Sequence, residues 1–168
     1  MALNPGCVGR SYPPSRPYPV EAGLIRRFAE AVGDPAAVHT DPTAARDLGH
    51  PSVPAPPTLA FAVVARAMGE VFAYEEIGFD PTYLIHGDQR FVYARPVRAG
   101  DRLTTRLSIT GAKHLRGKDV LTLRADVTDV GDAAGDDADD GGEHVVTLHM
   151  TFVSLPAAEG GGLNGARR

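Results

Sequence analysis

The stretch from Thr58 to Phe72, TLAFAVVARAMGEVF, is apolar nearly all round, with only Thr58, Arg66 and Glu70 strongly polar. A helix of that kind has almost no solvent face of its own and belongs inside a protein. Four strand-like runs follow it, at roughly 83–95, 102–113, 119–129 and 143–155. In the first, Gln89, Phe91, Tyr93 and Arg95 share one face and Arg90, Val92 and Ala94 the other. In the last, Val145, Thr147, His149, Thr151 and Val153 alternate with Val146, Leu148, Met150 and Phe152. One buried helix laid against a curved antiparallel sheet satisfies both patterns at once, which predicts an α+β domain.

The front half reads differently. Eleven of the fourteen prolines fall in the first 57 residues, so residues 1–19 are expected to run extended over the surface. Leu24, Ile25, Phe28, Ala31 and Val32 have helical spacing within 21–32, with Gly33 as the stop. A second short helix is marked by Asp41 as N-cap, Pro42 at its first position and Gly49 past its end.

Charge is concentrated rather than spread. The net charge is −4, yet residues 129–143 hold seven acids and no Lys or Arg, which leaves the rest of the chain at +3. That segment is expected to be a flexible hairpin loop, and it lacks the ligand order of an EF-hand. The tail 156–168 is expected to be disordered for the same want of apolar residues. The longest unbroken apolar run is seven residues, Leu59–Ala65, far short of the roughly 20 that cross a bilayer. No charged start with an apolar stretch opens the chain, so the expectation is a cytoplasmic protein without a membrane partner. A single Cys7 supplies neither a disulfide nor a metal spacing. Trp is absent and no basic run appears, so nucleic acid is not an expected partner.

Three features offer chemistry. In GDPAAVHTD, residues 33–41, Asp34 and His39 lie five apart in a Pro-interrupted loop. A loop folding on itself can bring both to one water and let them share its protons. On spacing alone, Asp34 as a turn cap and His39 as a surface residue is the favoured reading. Second, APPTL (55–59) precedes the long helix, whose first amides suit a developing oxyanion. Pro56 and Pro57 have no N–H, so the donors are Thr58 or Leu59; a plain helix start capped by Thr58 is the alternative. Third, nine basic residues between Arg90 and Arg124 stand against Asp101 and Asp119. Arg90, Arg95 and Arg98 are candidates for the phosphates of an acyl carrier, although outward strand faces also use such residues. His86 could be a second polar group at a site, whereas His50, His114, His144 and His149 show no partner spacing.

The segments VGRSYPPSRPY (8–18), FAEAVGDPAAVHTDPTAARDLGH (28–50), VPAPPTLAF (53–61) and HGDQRFVYARPVRAGDRL (86–103) together resemble the MaoC-like hot-dog dehydratase family. They are most similar to its N-terminal subfamily, which includes subunits of (3R)-hydroxyacyl-ACP dehydratases. The resemblance covers most of 5–155 and implies one hot-dog domain, a long central helix wrapped by a curved antiparallel sheet. It implies a dimer, with itself or with another MaoC-like chain. It also implies that Asp34 and His39 form a hydratase dyad acting on an enoyl thioester of CoA or of acyl-carrier protein. The acyl chain is expected along the central helix near Phe61, Val64 and Met68, with no metal or redox cofactor. Relatives in the subfamily carrying Tyr at the His39 position imply a second reading, a non-catalytic chain-binding subunit. Hot-dog thioesterases supply a third, by fold-level analogy.

Overall fold

The computed structural model describes residues 3–131 and 142–155. Most of the acidic segment (132–141) and the tail from 156 onward, expected above to be flexible, lie outside the described residues.

In chain order the elements are β1 (Tyr18–Pro19), α1 (Ala22–Val32), α2 (Pro42–Asp47), α3 (Leu59–Phe72), β2 (Leu84–Tyr93), β3 (Arg102–Leu115), β4 (Lys118–Asp129) and β5 (Glu143–Ser154). Short 3₁₀ turns stand at Pro5–Cys7, Ala37–His39 and Glu75–Ile77. The strands form one antiparallel sheet in the order β1-β3-β4-β5-β2. β3 and β4 are joined by a two-residue turn in which Arg116 (φ 51°) and Gly117 (φ 76°) are both left-handed, the twist that a tight hairpin requires.

Each long strand pair carries one register shift. They fall between His86 and Asp88, between Ile109 and Gly111, and between Val127 and Thr128. Such bulges bend a strand and raise its twist, so the sheet curls around α3. The shift opposite Val127 also places Val145 and Val146 both inside, each fully buried.

α3 buries Leu59, Ala60, Val63, Val64, Ala67, Met68 and Val71 against the sheet. Its opposite side is open, with Ala62, Ala65, Arg66 and Gly69 exposed. The expectation of a helix enclosed all round is corrected accordingly: beside Arg66 and Glu70 the outward residues are the small Ala62, Ala65 and Gly69, and hydropathy alone does not separate a small open face from a buried one. No helix among the described residues is long and apolar enough to cross a membrane.

The N-terminal segment is extended, but it does not merely cross the surface. Its amides at Gly9, Tyr12 and Ser15 donate to the carbonyls of Ile109, Leu107 and Thr105 on β3. Leu3, Cys7, Tyr12 and Val20 are buried in the core. Proline removes donors only at its own positions, so the intervening residues still pair along the strand.

Candidate active site

Gly33 ends α1 in the left-handed conformation (φ 72°, ψ 29°), the reason a glycine is needed there. The reversal returns the chain over the helix end, where the Asp34 amide donates to Ala29 O at 2.9 Å. Asp34 Oδ1 accepts from the Ala36 amide at 3.1 Å, a side-chain turn that holds one oxygen and leaves Oδ2 free to point elsewhere. The Ala37–His39 turn then lifts His39, and Asp41 starts α2 by accepting from the Thr43 amide at 2.7 Å.

This local folding brings Asp34 and His39 together. Their Oδ2 and Nε2 atoms lie 3.1 Å apart. The His39 side chain is 10% exposed and that of Asp34 is 35% exposed, so the pair is sheltered with one side open. His39 Nδ1 is 2.8 Å from the carbonyl oxygen of Pro54. A carbonyl only accepts, so Nδ1 carries a hydrogen directed at Pro54. In that tautomer Nε2 and the Asp34 carboxylate are both acceptors facing one point, an arrangement that suits a shared donor such as water.

Pro54 belongs to a segment tied down on both sides. The Ala55 amide donates to Val97 O at 2.7 Å and the Ala99 amide to Val53 O at 2.9 Å, with a bridge between Pro54 and Arg98. The same segment runs on into α3. The Leu59 amide donates to Pro56 O at 3.0 Å, and Thr58 at φ −78°, ψ −7° has the third-residue geometry of a type I turn. Of the two predicted oxyanion donors, Leu59 is therefore spent within the chain, while the Thr58 amide has no protein partner among the described residues. The Thr58 side chain makes no cap hydrogen bond. Beside this turn lies an apolar cavity of about 270 Å³ lined by Ala55, Pro56, Pro57, Tyr93, Pro96 and Val97. The Tyr93 hydroxyl, on the inner face of β2, donates to Pro57 O. Burial pushes the Tyr93 phenol up to about 12, so it stays a neutral donor.

The other predicted site residues fall elsewhere. Val64 and Met68 are packed in the core, at 0% and 5% exposure, so an acyl chain reaching them would have to displace packed side chains. Phe61 is half-buried, its ring 4.8 Å from that of His86. His86 also stacks on Phe152 at 4.7 Å and makes no hydrogen bond to Asp34 or His39. Arg95 is corrected as a phosphate ligand. Its guanidinium is 12% exposed and bound to Asp101 (2.9 Å), Asp129 (2.8 Å) and Glu143 (2.8 Å). Arg98 lies 3.5 Å from Asp101 and is partly exposed. Arg90 is exposed on the outer face of β2, across from His149. Among the described residues no group of three His, Cys, Asp or Glu side chains gathers as a metal site would. Alternation puts Tyr93 on one face with Gln89, Phe91 and Arg95, but its link to Pro57 spans 36 residues and has no local signal.

Comparison with known proteins agrees with the fold. The family described as FAS1-like, dehydratase domain region, matches residues 7–147. A UPF0336 protein of Streptomyces avermitilis is 49% identical over 160 residues, 95% of this chain and all of that protein. Among solved structures, a MaoC-like dehydratase superposes with a TM-score of 0.76 at 31% identity, over 90% of this chain and 43% of its own. The HadBC (3R-hydroxyacyl-ACP dehydratase) complex of Mycobacterium tuberculosis superposes at 0.73 with 27% identity, over 88% of this chain and 97% of that one. A helix cradled by a curled five-stranded sheet, a dehydratase-region match across most of the length and near-full-length relatives lead to one conclusion: this chain is a hot-dog protein of the FAS1-like, MaoC-type dehydratase family and groups with the UPF0336 proteins.

Proposed function

We propose that this chain adds water reversibly across the double bond of a trans-2-enoyl thioester, giving the (3R)-hydroxyacyl thioester. The observation that carries the reading is the sheltered Asp34–His39 contact at 3.1 Å, with His39 fixed through Nδ1 on Pro54. One water sits against the pair. As its oxygen bonds to C3, the pair takes a proton from it, and the π electrons of the C2–C3 bond move onto the thioester oxygen. The Thr58 amide stabilises that enolate oxygen. The enolate then collapses as C2 takes a proton from the pair, so water is added and the pair ends as it began. The steps are proton transfers with no change of oxidation state, and the carrier is CoA or acyl-carrier protein. The apolar cavity beside Pro57 and Tyr93 receives the start of the acyl group. Arg90 and Arg98 are the accessible cations for the carrier's phosphates.

A dimer belongs to the proposal. β2 pairs on one side only, and its other edge runs beside exposed Tyr83, Ile85 and Val92, a surface that a second hot-dog chain would cover. The likeness to HadBC, a complex of two chains, favours one rival reading, in which this chain binds the acyl group and a partner supplies the catalysis. The deciding experiment is to assay the purified chain on enoyl-CoAs of increasing length while measuring its mass in solution. Turnover by a homodimer supports the hydratase; activity that arises only on mixing with a second MaoC-like chain supports the binding subunit; thiol release from saturated acyl-CoA would replace both with a thioesterase.

A further inference from the structure

We propose that Tyr93 is a positioning residue for the oxyanion donor: by hydrogen bonding Pro57 O it fixes and polarises the Pro57–Thr58 peptide, whose N–H receives the enolate oxygen. The proposal rests on the hydratase reading and adds a residue to it.

The argument starts from the peptide bond. The carbonyl of Pro57 and the amide of Thr58 belong to one planar trans unit, no cis peptide occurring among the described residues, so they point in opposite directions. Whatever holds the carbonyl therefore aims the N–H. The Tyr93 hydroxyl holds it, reaching from β2 across 36 residues of sequence. The Leu59-to-Pro56 turn bond sets the plane of that peptide, and among the described residues Tyr93 is the side chain that hydrogen bonds it. Pro56 and Pro57 bring no donors of their own, and the neighbouring Leu59 amide is turned back onto Pro56 O. A hydrogen bond accepted at a carbonyl also strengthens the donor at the other end of the peptide, by about 10–30% in condensed phases. Tyr93 lines the cavity beside this peptide as well, so its ring sets the orientation of its hydroxyl through packing against Phe91, at 6.0 Å between centroids.

The arrangement has a parallel at the dyad. His39 fastens Pro54 O and Tyr93 fastens Pro57 O, so two side chains from separate elements clamp one four-residue segment at both ends. One clamp positions the proton pair and the other positions the amide. A merely structural tyrosine would be expected to affect folding, not the chemical step alone.

Tyr93→Phe keeps the ring and deletes the hydroxyl. The expected result is a fall in kcat of about 10-fold with KM changed less than about 2-fold, smaller than the 10²–10³ for an oxyanion donor removed outright. The ¹H–¹⁵N signal of Thr58 should shift in the same variant without substrate. Replacing the Thr58 amide by an ester deletes the N–H, and in that background Tyr93→Phe should cost less than about 2-fold more, because coupled groups are not additive. An unchanged kcat in Tyr93→Phe, or an equal loss in the amide and ester backgrounds, overturns the proposal. A wild-type chain that turns over no enoyl thioester, alone or with a partner chain, overturns the reading beneath it instead.

Discussion

Replacing Arg95 by Met removes four hydrogen bonds at once and leaves three carboxylates behind. Arg95 donates through Nη1 to Asp101 and to Pro96 O, through Nη2 to Asp129 and through Nε to Glu143. The three acids are not equally affected. Asp101 is 2% exposed, so losing the guanidinium removes its nearer cation, although the Arg98 amide still donates to it at 2.9 Å and the Arg98 guanidinium stays 3.5 Å away. Asp129 keeps the amides of Arg102 and Gly131 on its other oxygen. Glu143 is 59% exposed and returns to water at little cost. Breaking a buried pair from one side costs about 3–5 kcal/mol, and most of that loss falls on Asp101. Against a typical domain stability of about 5–15 kcal/mol, that is a large share of the total. Urea denaturation at pH 7 should show the midpoint fall with the slope unchanged. Glu143→Gln should lose less than about 1 kcal/mol in the same assay. Amide exchange at Ala55 and Ala99, which join the site segment to this turn, should accelerate in the Arg95 variant. A loss below about 1 kcal/mol for Arg95→Met, or an equal loss for Glu143→Gln, would refute the assignment of Arg95 as a buried clamp.

Two other perturbations test separate parts of the account. Burial alone would raise Asp126, but hydrogen bonds from Arg124 and Thr147 outweigh it and hold the carboxyl below its ordinary value. Its stabilisation is therefore present above about pH 4 and lost as pH falls through the lower folded value. Asp126→Asn should destabilise at pH 7, and a pH series of unfolding curves should show that deficit shrinking below about pH 4. Gly33→Ala adds a methyl that meets nothing within 4 Å, so only the left-handed backbone resists it. A loss of about 1–2 kcal/mol is expected by thermal or urea unfolding, and no loss would mean that the turn carrying Asp34 is not strained by a side chain.

The parts that were legible in the sequence are the local ones. Gly33 ending α1, Asp41 and Pro42 starting α2, the apolar stretch of α3 and the alternation of β2 each depend on residues within a turn or two of one another. The spacing of Asp34 and His39 raised their pairing only as one of two readings. Resemblance to a family, not spacing, selected it. What escaped depends on residues far apart in the chain. Arg95 meets Asp129 and Glu143 across 34 and 48 positions, so a basic residue in a basic region looked available when it was already bound. His39 reaches Pro54 across 15 positions, which is what shows that Nδ1 carries a hydrogen, and no pattern in 33–41 contains that carbonyl. Val64 and Met68 carried the right chemistry for an acyl wall, but apolar side chains on a helix do not say whether they face a cavity or the core.

The central claim is that Asp34 and His39 work as one unit on one water. Its most direct test is the rate of crotonyl-CoA hydration by the purified wild-type chain, Asp34→Asn, His39→Ala and the double variant. Each single change should lower kcat by about 100-fold or more, and the double variant should lose little beyond either single one, since groups acting together are not additive. Full activity in both single variants, or losses that multiply in the double variant, would contradict the account.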